Sequence, residues 1–199
     1  MKRKHTFSAV LLLLALSAFS GSVFAQASLA AKLDIKSIKS IQFVERGSRI
    51  YADTIMIVTN SAENELKLRK INFAVLLGSG DLQIPIGVAE TSKIFQLVED
   101  EEGKIIRKPD EILFGVGSTQ KPVEVVLELQ VKIGSKNLET MQRLIGMFNV
   151  VGNPMANFSM LLNGKGEVGV KAKKGWIYQS GISVEWVFTP KVQKEVLFD

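Results

Sequence analysis

PVEVVLELQVKI, residues 122–133, sets Val123, Val125, Leu127, Leu129, Val131 and Ile133 on one face and Glu124, Glu128, Gln130 and Lys132 on the other. Period-two alternation lets a strand bury one face and wet the other, so the polar face is expected in solvent. The same period recurs on either side of this stretch. Ile71, Phe73, Val75 and Leu77 share a face. Residues 49–59 are apolar on both faces around Ile55 to Val58, as an interior strand covered from both sides would be. Trp176, Tyr178, Ile182, Val184, Trp186 and Phe188 have one parity, which sends both tryptophans to the core, with Gly181 marking a bend or bulge.

Turn signals separate these runs. Asn163-Gly164 reads as a two-residue hairpin, because both residues tolerate positive φ. Gly78-Ser79-Gly80-Asp81 and Asp100-Glu101-Glu102-Gly103 read as hairpin tips, and Asn153-Pro154 as a stop. One segment changes period. Over residues 135–150, Leu138, Met141, Ile145 and Phe148 recur at three- and four-residue spacing, which predicts an amphipathic helix. Many short strands and one helix predict a mainly β fold, an antiparallel β-sandwich with closure into a small barrel as the alternative.

The chain opens with a different chemistry. Lys2, Arg3 and Lys4 precede an apolar run, Val10 to Leu16, and Val23-Phe24-Ala25 suits a cleavage site. That is the pattern of a secretory signal peptide, and its apolar core is shorter than the roughly 20 residues of a membrane-spanning helix. The organisation expected is a cleavable leader over 1–25, a lead-in over 26–40 and one domain over 41–199, in a periplasmic or secreted protein. Retention of the leader as an anchor is the alternative. Without it the 25 basic and 20 acidic residues become 22 and 20, so the net charge falls from +5 to +2. A nucleic-acid partner loses its electrostatic basis with that change.

Catalytic inventory is thin. Cysteine is absent and the one histidine, His5, lies in the leader, so the usual triads, thiol nucleophiles and zinc sites have no residues to use. No enzyme activity, metal or cofactor is expected. Gly164-Lys165-Gly166-Glu167-Val168-Gly169 spells GxGxxG, yet apolar alternation continues through Val168, Val170 and Ala172 where a dinucleotide site needs a helix. The acidic run Glu99 to Glu102 has adjacent carboxylates on a tight turn, unlike the converging spacing of a calcium loop. Lys165, Lys171, Lys173 and Lys174 form a basic cluster that suits an anionic surface; the same residues would also keep an edge strand soluble.

The order of strands over Ile41 to about Pro190 resembles the group-2 late-embryogenesis-abundant family, the water-stress and hypersensitive-response domain. The matching features are Ile55 to Val58 ending at Asn60, Leu66 to Leu77, Ile86-Gly87, the proline-led strand Pro122 to Leu129, and the pair Met160 to Gly164 and Glu167 to Ala172. Ser61 stands where that family usually has proline after the asparagine. The resemblance implies an immunoglobulin-like sandwich without catalysis, acting in protection during drying and osmotic stress. Three readings of function follow: a stress-protective binding or stabilising domain, a carrier of lipid or another apolar ligand, and a subunit of an envelope protein complex. On the carrier reading the 135–150 helix is a lid, with Leu144, Met147 and Phe148 at the groove entrance; otherwise these residues are ordinary core.

Overall fold

The computed structural model describes residues 26, 28–79, 82–134, 139 and 159–189. The leader, the expected 135–150 helix apart from Glu139, and with it Leu144, Met147 and Phe148, lie outside these residues, as does Asn153-Pro154. Ten strands follow in order: β1 (Leu33–Arg46), β2 (Arg49–Asn60), β3 (Leu66–Ser79), β4 (Leu82–Ala89), β5 (Ile94–Glu99), β6 (Ile105–Pro109), β7 (Glu111–Phe114), β8 (Val123–Ile133), β9 (Ser159–Ala172) and β10 (Gly175–Phe188). Every pairing is antiparallel, and the main path runs β1-β2-β8-β4-β3-β9-β10. The β5–β6 hairpin adds to β8, and β7 adds to β3. The fold is thus mainly antiparallel β and sandwich-like. Residues 33–40, read as lead-in, already belong to β1, where Leu33 pairs with Asn60.

Two layers arise because the sheet turns over at β4. That strand pairs with β3 through residues 73–79, and with β8 only through Gly87↔Ile133 and Val88↔Lys132. A Cβ on Gly87 would run into the Lys132 carbonyl oxygen, so only glycine lets the layers join this closely. The far ends of the path, β1 and β10, then lie against one another. Inward side chains from all of these strands form one core, including Met56, Phe73, Leu127, Leu129, Leu162 and Trp186.

Alternation places this core well. In β8, Val125, Leu127, Leu129, Val131 and Ile133 are buried, as are Ile71, Phe73, Val75 and Leu77 in β3. β2 is interior, between β1 and β8, with its inward face buried and its outward face half-buried rather than covered on both sides. Glu128 departs from the solvated face expected of it: its residue is 4% exposed. The β5–β6 hairpin folds beside β8, so Arg107 Nε donates to Glu128 Oε2 at 2.7 Å and Gln130 Nε2 to its Oε1 at 3.3 Å. The buried charge is paired, as burial requires.

One turn reading changes and two hold. Asn163 and Gly164 are not a hairpin: they lie mid-strand in β9, paired with β10 through Glu185 and Val184 and with β3 through Ala74 and Phe73. A dipeptide's turn propensity is small against ladders on both sides. The β9–β10 turn falls instead at Lys173-Lys174, closed by Ala172↔Gly175. The β3–β4 hairpin is placed where expected, with Ser79 paired to Leu82, and so is the acidic tip between β5 and β6. There Asp100 Oδ1 accepts the backbone N–H groups of Glu102 and Lys104 at 3.1 and 2.8 Å.

Parity misplaces one tryptophan. Between Gln179↔Val168 and Ile182↔Gly166, β10 has two residues opposite one of β9, a bulge in which Gly181 takes φ +74°. One extra residue exchanges the faces on either side of it. Trp186 is fully buried, its ring 4.8 Å from Phe73 and 6.5 Å from Phe114. Trp176 and Tyr178 are turned to the outer face and are half-buried.

Candidate functional site

The bulge creates the most organised part of the surface. Cross-strand neighbours share a face, so the register places Glu111 and Leu113 of β7, Lys67 and Arg69 of β3, Glu167, Gly169 and Lys171 of β9, and Tyr178 and Trp176 of β10 side by side on the outside of one layer. Two ammonium groups approach the Trp176 ring, with Lys67 Nζ 4.7 Å and Lys171 Nζ 5.2 Å from its centroid. The Arg69 guanidinium stacks on Tyr178 at 3.4 Å. Cations over aromatic faces are held by the ring quadrupole. Gly169 makes room for this stack, since a Cβ there would sit 2.7 Å from the Tyr178 ring.

Glu167 ties the array together. A second bulge, in β3 between Arg69 and Asn72, brings Lys70 into the same place with φ +51°. Glu167 accepts from Arg69 Nε at 2.6 Å, Lys70 Nζ at 3.0 Å and Ser180 Oγ at 3.1 Å. Lys70 and Ser180 come from the two bulges, so one carboxylate spans both irregularities. Its hydrogen bonds from Lys70 and Arg69 lower its pKa from 4.5 to about 2. A carboxylate that far below neutrality stays ionised and is a weak proton acceptor, which suits structure and binding better than acid–base chemistry. Nearby, Lys67 pairs with Glu111 at 3.0 Å, and that contact raises its pKa above the ordinary lysine value.

Beside the array lies a concavity of about 400 Å³ between the β5–β6 hairpin and β7, lined by Lys67, Gln96, Val98, Lys108, Pro109, Glu111 and Leu113. Its polar groups are largely committed. Gln96 Oε1 accepts the Leu113 N–H at 2.9 Å and its Nε2 donates to the Leu113 carbonyl at 3.3 Å, as a neighbouring strand would.

The four lysines of the expected cluster are divided by this geometry. Lys171, Lys173 and Lys174 sit together at the β9–β10 turn, all exposed. Lys165 is six positions back along β9, roughly 20 Å at the rise of an extended strand, with Glu167 in between. Lys67, Arg69, Trp176, Tyr178 and Glu167 were not singled out from the sequence as site residues. The parity of the tryptophans hid two of them, and no local motif marks the others.

The GxGxxG string has a packing explanation. Gly164 would meet the Asn72 carbonyl if it carried a Cβ, Gly166 would place one 2.9 Å from Ile71 Cβ, and Gly169 lies under Tyr178. All three are in β9, which leads into β10 rather than into a helix.

The chain matches no family model and no curated protein. Among solved structures it is similar to a crystal structure of a protein from Archaeoglobus fulgidus, at 9% identity and a TM-score of 0.26, over 79% of this chain and 98% of that one.

Proposed function

We propose that this protein is a non-catalytic, exported domain of the group-2 late-embryogenesis-abundant kind, which binds or stabilises other molecules of the cell envelope under drying or osmotic stress. The observation that carries this reading is the outer face of β3, β9 and β10. Its cations are stacked on aromatic rings, and its central carboxylate is tuned to stay charged. Such a face offers fixed charges and amphipathic rings for binding. The leader-like residues 1–25 support export, and among the described residues no helix is long and apolar enough to cross a membrane. Of the features that carry the family resemblance, Met160 to Gly164 and Glu167 to Ala172 lie in one strand, β9, rather than in the two strands of a hairpin.

Deleting the gene tests the reading. Survival after controlled drying and after osmotic shock is expected to fall, and to recover on complementation. Unchanged survival in both assays would count against it.

A further inference from the structure

We infer that the β9–β10 hairpin tip docks on the surface of an anionic phospholipid bilayer. The tip runs past its neighbouring strand: the last β3–β9 pair is Leu66↔Val170, with Lys171 N–H bonded to the Glu65 carbonyl at 3.2 Å, and residues 172–175 turn beyond it. Lys171, Lys173 and Lys174 are exposed there, and none makes an ion pair among the described residues. No acidic residue occurs in the chain between Glu167 and Glu185. The apolar component is as marked. Ile177 is 61% exposed, the most exposed large hydrophobic side chain among the described residues, and Trp176 stands beside Lys171.

Charge and apolar surface together select the partner. Lysines near an anionic leaflet attract phosphates, while tryptophan and an aliphatic side chain enter the headgroup boundary. A soluble polyanion would use the lysines and gain nothing from Ile177. Docking rests on the reading of the protein as an exported binding domain. It fails separately from that reading, because stress survival and vesicle binding are measured independently.

The experiment is co-sedimentation of the protein, as its host processes it, with vesicles of phosphatidylcholine alone or with about a third phosphatidylglycerol. Variants are compared in one background so that any contribution from the leader cancels. Binding to the anionic vesicles is expected, weakening with salt as the charges are screened. K173Q/K174Q should lower it about 30-fold, at about 1 kcal/mol per lysine. Ile177→Ser should lower it about fivefold, and Lys165→Gln, remote from the tip, should leave it unchanged. Equal binding to pure phosphatidylcholine would overturn the inference, as would a Lys165→Gln effect as large as that of the tip pair. So would insensitivity to Ile177→Ser combined with full displacement by soluble polyglutamate, which would identify a polymer site.

Discussion

Asn60 holds a corner that backbone hydrogen bonds alone leave incomplete. At the end of β2 its Nδ2 donates to the carbonyls of Asn64 and Gly115, at 3.0 and 2.8 Å, and its Oδ1 accepts the Ala62 N–H at 2.9 Å. The residue is fully buried, so removing the amide strands backbone groups away from water. Asn60→Ala is expected to destabilise the fold by about 2–4 kcal/mol in urea titrations. Asn60→Asp should do at least as badly, because a carboxylate cannot donate to the two carbonyls. A second residue-scale consequence concerns acid. The Glu167 pKa is lowered in the folded protein, so its contribution is complete above the unfolded value of 4.5 and disappears as pH falls through about 2. Urea midpoints measured stepwise across that window should drop in the wild type, and the drop should be smaller in Glu167→Gln.

Among the elements, β9 and β10 carry the most information beyond their alternation. The bulge predicts two different indoles in one strand. Trp176→Phe should leave a blue-shifted emission poorly quenched by acrylamide, from Trp186 alone, whereas the wild type should show an additional accessible fraction. If both indoles were quenched alike, the exchange of faces at Gly181 would be wrong. Gly164 offers a test of the strand assignment in place of the hairpin. Gly164→Ala drives a methyl into the Asn72 carbonyl and should cost about 1–3 kcal/mol, as overpacking does. At a turn with positive φ Gly164→Asn should be milder than Gly164→Ala, whereas in the strand it should cost at least as much, because its side chain meets the same carbonyl.

At the scale of the whole molecule, one core joins both layers, so the described strands should unfold together. Trp186 sits at its centre between Phe73 and Phe114. Trp186→Ala should cost about 3–5 kcal/mol, a large share of the 5–15 kcal/mol that keeps an ordinary domain folded. Far-ultraviolet circular dichroism and tryptophan emission should give coincident denaturation curves in the wild type. Separate transitions would mean that the layers are independent units. The outer face and the hairpin tip lie away from this core, so Lys173 and Lys174 can be changed to probe binding without disturbing the fold.

The sequence by itself determined that the chain is mainly antiparallel β, which residues of β3 and β8 face inward, and where two of the hairpins turn. Those features follow from hydrophobic alternation and from glycine-rich or acidic turns, both of which act locally. Only the tertiary structure decided which way Trp176 and Tyr178 point, that Asn163-Gly164 is strand, and that Glu128 is buried. It also decided that Glu167 joins Arg69, Lys70 and Ser180 in one array. Each of these depends on a neighbouring strand far away in the chain. A bulge adds one residue and reverses every side chain beyond it, and a ladder on each side outweighs the preference of a dipeptide. The candidate surface is made by those long-range registers, so no segment of the sequence spells it out.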